Sequence, residues 1–196
     1  MSLFALVLAG GEGRRMGGGK PARLLGGERL IGRAVRLARR WSDDPVVALR
    51  EGRDNGRPDA RVVCDRPGIE GPLAGLAAGV TLAVEEGADR LLLIPADMPF
   101  LPDDLAERLG AALDGSDEGC AMAASGGRHH PVCSLWAIDR LGVALPAYCA
   151  EGHRSLKGLA EMVGTVAVDW DVAEARDPFF NVNDPDDLAA AEAMLD

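Results

Sequence analysis

Short apolar runs alternate with segments of helical periodicity along most of the chain. The apolar runs predict buried strands at residues 4–8, Val46–Leu49, Arg61–Cys64, 91–94, 120–123, 131–136 and Thr165–Trp170. Apolar residues at helical spacing predict helices over residues 30–39, 72–86, 102–113, 138–149, 155–163 and from 185 onward. This alternation indicates a three-layer α/β/α fold with a mostly parallel, Rossmann-like sheet.

Composition narrows the class of protein. The length of 196 residues suits a single domain spanning residues 1–196. A formal net charge of −10 argues against binding to nucleic acid or to a membrane surface. The apolar runs are shorter than the ~20 residues of a spanning helix, and residues 2–9 lack a basic leader. The 4 cysteines have no C-x-x-C spacing, which favours reduced thiols over a zinc site. We therefore expect a cytoplasmic protein.

A glycine-rich basic loop follows the first predicted strand. Residues 8–20 read Leu-Ala-Gly-Gly-Glu-Gly-Arg-Arg-Met-Gly-Gly-Gly-Lys. Successive glycines let backbone N–H groups approach an anion, and Arg14, Arg15 and Lys20 add full charges. In parallel sheets ligands bind outside the carboxyl ends of the strands. The loop therefore predicts a triphosphate site, with a flexible surface loop as the alternative.

Two familiar phosphate-binding motifs do not fit this loop. The P-loop requires G-x-x-x-x-G-K-[ST], whereas Arg14 stands at its first glycine and Pro21 replaces the Ser or Thr. The dinucleotide fingerprint G-x-G-x-x-G fails because Met16 occupies the position of the third glycine. The phosphate site must therefore be of another kind.

Five motifs in order give the chain a family resemblance. It resembles nucleotidyltransferases that activate sugars and cofactors, and among them most closely the molybdenum cofactor guanylyltransferases. The motifs are the L-A-G-G-x-x-x-R-M-G-G-x-K pattern from Leu8, Gly71-Pro72-Leu73-Ala74-Gly75, Pro95-Ala96-Asp97-Met98-Pro99, His130-Pro131-Val132 and Phe180-Asn181-Val182-Asn183.

The resemblance implies an enzyme and its substrates. It would transfer GMP from GTP to the molybdopterin-bound molybdenum cofactor and release pyrophosphate, with Mg²⁺ as cofactor. GTP and molybdopterin, or the molybdenum cofactor, are the implied substrates, and a molybdoenzyme or cofactor chaperone is a further partner that the resemblance allows. The acceptor phosphate attacks the α-phosphorus directly, so catalysis is positioning and charge stabilisation.

The resemblance also assigns the nucleotide site. It implies that Leu8, Ala9, Gly10 and Gly11 line the nucleotide and that Lys20 contacts its phosphates. Chemically, Lys20 and Arg15 can balance charge on the departing pyrophosphate. Arg14 is equally compatible with a solvated charge.

Two aspartates follow predicted strands. Asp97 stands where the resemblance implies a magnesium ligand, and a carboxylate at a strand end suits that ion; the alternative is a turn-forming aspartate. Asp65 can accept hydrogen bonds from guanine N1–H and the 2-amino group, or it is a solvated loop residue. The family usually has an asparagine after its second strand, where this chain has Leu49 and Arg50.

The acceptor side is assigned to His130, Asn181 and Asn183. One asparagine is expected to face the metal or the acceptor, while the other forms a backbone turn. His130, which precedes Pro131, is expected to shape the acceptor side.

Three alternatives remain open at this stage. One is a cytidylyltransferase for the same cofactor, although such enzymes usually have L-A-A-G where this chain has Leu-Ala-Gly-Gly at residues 8–11. Another is a sugar-phosphate nucleotidyltransferase, although those chains are usually longer. The third is a nucleotide-binding or cofactor-carrier protein without catalysis, which the presence of Lys20 and Asp97 disfavours.

Overall fold

The structure is a computed structural model that describes residues 1–11, 20–52, 58–172 and 177–195. Its centre is a sheet of seven strands: β1 Leu3–Leu8, β4 Val46–Leu49, β5 Arg61–Cys64, β6 Arg90–Pro95, β7 Cys120–Ser125, β8 Arg128–Ala137 and β9 Thr165–Trp170. Their order across the sheet is β5-β4-β1-β6-β8-β7-β9.

Helices cover both faces of this sheet. They are α1 Leu30–Ala38, α2 Pro72–Glu85, α3 Leu105–Asp114, α4 Ile138–Ala150, α5 Leu156–Val163 and α6 Pro185–Ala193. One apolar core contains side chains of α1 and α3, and a second contains side chains of α2, α4 and α5. Successive residues of a strand point to opposite faces, so β1 supplies Ala5 and Val7 to the first core and Phe4 and Leu6 to the second. The predicted three-layer α/β fold is confirmed.

Strand direction departs from a fully parallel sheet in one place. β1 pairs in parallel with β4 and β6, and β7 pairs in parallel with β9. β8 is antiparallel to both of its neighbours, β6 and β7. Because β8 is reversed, its first residues lie at the same edge of the sheet as the last residues of β6 and β7.

Small residues set the distance between α2 and the sheet. A Cβ on Gly79 would overlap the side chain of Leu6, which is fully buried in β1. A Cβ on Gly75 would lie 2.7 Å from Leu8 Cδ2 and 3.0 Å from Ala48 Cβ. These glycines let α2 lie directly on β1 and β4, because they present no side chain at the contact.

Two short elements near the basic loop were not predicted. A 3₁₀ turn covers Lys20–Ala22, and a small hairpin joins β2 (Leu24–Leu25) to β3 (Glu28–Arg29). Leu25 is fully buried with Leu30, Val182 and Ala191 in a third apolar cluster. This cluster packs the hairpin against the C-terminal helix α6.

The described ranges contain no helix that is both long and apolar enough to cross a membrane.

Candidate active site

The carboxyl edge of the sheet collects residues from distant parts of the chain. Gly10 follows β1, Asp65 follows β5 and Asp97 follows β6. Leu8, Ala9, Gly11, Lys20 and Asp97 line a small cleft there, together with Pro21 and Ala96. A wider cleft at the other end of β1, lined by Met1, Leu3 and residues 39–44, contains none of the predicted site residues. Five of the predicted site residues that the structure describes therefore line one cleft where α/β sheets bind ligands.

Lys20 lies at the centre of a polar cluster. Its Nζ is 2.5 Å from Asp97 Oδ2, 3.1 Å from Asn183 Oδ1 and 3.4 Å from Asn181 Oδ1. Lys20 is only 9% exposed, so this pairing has lost much of the solvent screening that weakens surface ion pairs. The sequence assigned these residues to separate roles, whereas the fold brings them into one group.

Backbone contacts fix the two asparagines. Val182 N–H donates to the Asp97 carbonyl oxygen at 2.9 Å, so the segment between the asparagines is tied to the end of β6. Asn183 Nδ2 donates to the Asn181 carbonyl oxygen at 3.2 Å. With its nitrogen engaged there, the Asn183 amide turns its Oδ1 toward Lys20.

The start of α6 supports the same segment. Asp184 accepts hydrogen bonds from Asp186 N–H at 3.1 Å and Asp187 N–H at 3.0 Å, which caps α6 with Pro185 in its first turn. Asp187 Oδ2 in turn accepts from Asn183 N–H at 2.7 Å. The helix cap therefore anchors the asparagine segment from its C-terminal side.

The oxygens around Lys20 fit a hard divalent cation. Asp97 Oδ1 is buried and, among the described residues, makes no hydrogen bond. The described residues contain no group of three or more His, Cys, Asp or Glu side chains able to hold a metal ion. Mg²⁺ usually takes one or two protein carboxylates and completes its shell with phosphates and water. Asp97 with the two amide oxygens is a donor set of that kind.

A second group surrounds Asp65. A Cβ on Gly10 would overlap Asp65 Oδ2, and one on Gly75 would lie 3.1 Å from Asp65 Oδ1. Burial raises the pKa of the Asp65 carboxyl, and the nearby Arg50 charge opposes that shift. The two glycines therefore leave room for the Asp65 carboxylate.

The Asp65 group contains two features that the sequence analysis missed. The packing of Gly10 and Gly75 on one carboxylate was not predicted, although both glycines belong to recognised motifs. Arg50, noted only as a departure from the usual asparagine, contributes its charge to Asp65.

His130 is buried away from the cleft surface. It is 6% exposed, its Nε2 lies 2.8 Å from Ser125 Oγ, and its ring stacks on Phe179 with centroids 4.6 Å apart. The sequence placed His130 on the acceptor side, but the structure shows its ring engaged by protein groups.

Part of the predicted phosphate site lies outside the described residues. Arg15, assigned to the pyrophosphate, and Arg14 both belong to residues 12–19. Their assignments remain predictions from the sequence.

Comparison with known proteins identifies the family of this chain. Residues 5–166 match the model of a family described as "MobA-like NTP transferase domain". A protein of Cereibacter sphaeroides named "Molybdenum cofactor guanylyltransferase" is 40% identical over 202 residues, which cover 100% of this chain and 98% of that one. A Bradyrhizobium protein of the same name is 41% identical over 197 residues, covering 96% and 91% of the two chains.

Solved structures show the same fold. Molybdopterin-guanine dinucleotide biosynthesis protein A from Archaeoglobus fulgidus matches with a TM-score of 0.75 at 24% identity, over 97% of each chain. The 4-diphosphocytidyl-2C-methyl-D-erythritol synthase from Anaerococcus prevotii matches with a TM-score of 0.78 at 14% identity, over 99% of this chain and 96% of that one. The family resemblance and the nucleotidyltransferase class predicted from the sequence are both confirmed. The chain belongs to the family of MobA-like NTP transferase domains.

Proposed function

We propose that this protein transfers the guanylyl group of GTP to the phosphate of the molybdopterin-bound molybdenum cofactor and releases pyrophosphate. The observation that carries the proposal is the pairing of two groups at one sheet edge: Lys20 with Asp97, Asn181 and Asn183, and Gly10 with Asp65. The first group suits a triphosphate and a metal, and the second suits a purine that donates hydrogen bonds. The names of relatives about 40% identical over the whole chain support the same activity.

The base end of the site is assigned to Asp65. Its carboxylate accepts hydrogen bonds from guanine N1–H and the 2-amino group, both of which are donors. Cytosine presents an acceptor at its ring N3, so it would meet the same carboxylate with a repulsive contact. A site built on hydrogen bonds rejects a mismatched ligand strongly because a buried polar group is left unpaired.

The phosphate end is assigned to the backbone of residues 8–11 and to Lys20. The Lys20 ammonium is hydrogen-bonded to Asp97 and to both asparagine side chains, so contact with a triphosphate requires it to exchange one of these oxygens for a phosphate oxygen. When bound, Mg²⁺ would neutralise charge on the phosphates and polarise the α-phosphorus. Asp97 would hold that ion, with Asn181 or Asn183 turned to the ion or to the acceptor.

The transfer needs no protein nucleophile. A phosphate oxygen of the acceptor forms a bond to the α-phosphorus of GTP, and the bond from the α-phosphorus to the bridging oxygen breaks. The electron pair leaves with pyrophosphate, where Lys20 meets the added negative charge, aided by Arg15 on the evidence of the sequence. The contribution of the protein is orientation and charge placement.

The defining experiment compares the four nucleoside triphosphates. The purified protein is incubated with Mg²⁺, molybdopterin and each triphosphate, and the products are identified by mass spectrometry alongside pyrophosphate release. We expect a guanine dinucleotide product from GTP. Equal or better turnover of CTP would identify the cytidylyl alternative instead, and binding without pyrophosphate release would identify a carrier protein.

Gly10→Ala is expected to reduce the preference for GTP over CTP by about tenfold or more, the value of one charge-assisted hydrogen bond. The added methyl overlaps Asp65 Oδ2, so the carboxylate must shift from its position toward the base. The measurement is kcat/KM for both nucleotides with saturating acceptor.

Gly11→Ala is the matched comparison for this variant. A Cβ at Gly11 has no heavy atom within 4 Å, so this change stiffens the same loop without moving Asp65. Its GTP-to-CTP ratio should equal that of the wild type, whatever its absolute rate. If Gly10→Ala and Gly11→Ala give the same ratio of kcat/KM for GTP to that for CTP, Asp65 does not select the base.

A further inference from the structure

A series of buried, hydrogen-bonded polar side chains lies at the carboxyl edge of the sheet and takes no part in the proposed transfer reaction. Ser125 ends β7 and is 1% exposed, and His130 near the start of β8 is 6% exposed. Ser125 Oγ lies 2.8 Å from His130 Nε2 and 2.9 Å from Asp177 Oδ1. Buried polar groups are costly unless they are paired, so this chain of contacts calls for a specific arrangement of protons.

The protons can be assigned from donor capacity. An ionised carboxylate only accepts hydrogen bonds, and a serine hydroxyl has a single hydrogen to donate. Ser125 must therefore donate to Asp177, so His130 Nε2–H must donate to Ser125 Oγ. Burial lowers the pKa of His130, although the charge of Asp177 opposes that shift. This direction favours a neutral ring, and the contact with Ser125 places its one hydrogen on Nε2.

Asp177, the last residue of this hydrogen-bonded series, holds the segment that contains Asn181 and Asn183. Asp177 Oδ1 accepts Phe179 N–H at 2.9 Å, and the Asp177 carbonyl oxygen accepts Phe180 N–H at 3.0 Å. The His130 ring stacks on Phe179 with an interplanar angle of 14°, and Phe179 meets the edge of Trp170 at 5.4 Å between centroids. The same histidine therefore holds this segment through both hydrogen bonds and ring contact.

The segment is consequently fixed from two sides. Its start is held by Asp177 and Phe179, and its middle by the bond from Val182 N–H to the Asp97 carbonyl oxygen. Asn181 lies between these anchors and Asn183 just beyond them. Asn183 is also held from its C-terminal side by Asp187, so loss of the first anchor would move Asn181 directly and Asn183 through it.

We propose that His130 is a positioning residue, which acts through Ser125, Asp177 and Phe179 to hold Asn181 and Asn183 against Lys20. The kinetic part of this inference rests on the proposed function, whereas the structural part does not. The small exposed fraction of His130 and the hydrogen bond at its Nε2 distinguish this role from direct contact with the acceptor.

An activity-independent test uses the two lysines of the chain, Lys20 and Lys157. Lys20 is enclosed by three oxygens, whereas the Lys157 side chain is 61% exposed and serves as an internal reference. The full-length protein is treated with a limiting amount of acetic anhydride, and the ratio of acetylation at the two lysines is read by mass spectrometry. His130→Ala and Ser125→Ala should each raise the Lys20:Lys157 ratio by about threefold or more, as expected for loss of one net hydrogen bond.

Ser134→Ala is the matched control. Ser134 is also a buried serine of this strand pair, but it bonds to the Pro131 carbonyl oxygen and to Trp136 Nε1, not to the asparagine segment. It should lower the melting temperature and leave the acetylation ratio at the wild-type value. If Ser125→Ala and His130→Ala give the same ratio as Ser134→Ala, the inference is overturned.

Kinetics provide the second measurement. His130→Ala should lower kcat/KM for the acceptor by about tenfold, since a small displacement of positioning groups carries a large rate penalty, and leave the GTP dissociation constant within about twofold. His130→Gln, which retains an N–H donor, should recover part of the loss. The effects of His130→Ala and Asn183→Ala should be strongly non-additive; full additivity would contradict the inference. If the wild type fails to transfer GMP, the proposed function fails, and the acetylation ratio alone decides the role of His130.

Discussion

Asp97→Asn should lower guanylyl transfer by about a hundredfold or more while the protein remains folded. The amide is close in shape to the carboxylate and lies at a strand end, so the sheet should tolerate it. The loss arises because the metal is deprived of its charged ligand, and Lewis-acid stabilisation by a bound metal is worth several kcal/mol. The measurements are single-turnover rates across a range of Mg²⁺ concentrations and the dissociation constant of Mn²⁺ determined directly.

The melting temperature serves as the control for Asp97→Asn. The substitution removes the charged partner of the largely buried Lys20 ammonium, so the melting temperature should fall without loss of the cooperative transition. Wild-type turnover at low Mg²⁺, or an unchanged Mn²⁺ dissociation constant, would show that Asp97 does not bind the metal.

Lys20→Ala should lower kcat by about tenfold or more, the value of one charge-assisted hydrogen bond. If the ammonium meets charge that grows in the transition state, kcat must fall more than GTP affinity weakens. Lys20→Arg should restore little activity. A planar guanidinium differs in shape and reach from an ammonium, and the position is enclosed by Asp97, Asn181 and Asn183.

Lys157→Ala is the natural control for this variant. Lys157 is exposed on α5, where it pairs with Glu161 at 3.7 Å, four residues along the same helix. Such surface pairs contribute little to stability, so kinetics and melting temperature should match the wild type. Weaker GTP binding with an intact kcat in Lys20→Ala would assign Lys20 to ground-state binding alone.

The sequence predicted the layers of the fold because they depend on local periodicity. Strands at Val46–Leu49 and Arg61–Cys64 occur at the predicted residues, and β6 extends the predicted run of residues 91–94 to Arg90–Pro95. The reversed direction of β8 could not be predicted in this way, because a buried strand has the same apolar pattern in either direction. That direction decides where His130 lies, and so the sequence could indicate its motif but not its neighbours.

The contacts between site residues were harder to predict from the sequence, for a related reason. Lys20 and Asn183 are separated by 163 positions and Lys20 and Asp97 by 77, and spacing along the chain carries no information about such distances. Asp97 and residues 8–11 each follow a predicted strand. Because parallel strands expose their carboxyl ends together, they were expected to share one edge of the sheet. The approach of residues 181–183 depends on how the C-terminal segment packs, which leaves no periodic signal in a single sequence.

The large sequence separation between Lys20 and its partners Asn181 and Asn183 has a consequence for folding. Contacts between residues far apart in sequence are slow to form, because closing a long loop costs entropy before any contact can repay it. A chain synthesised only as far as Trp170 already contains every strand of the sheet, yet it lacks two of the three oxygens that surround Lys20. The ammonium and Asp97 gain their last neighbours only when the C-terminal segment docks beside β6. If Lys20, Asn181 and Asn183 act as proposed, a chain that has assembled its sheet but has not docked its C-terminal segment would be inactive.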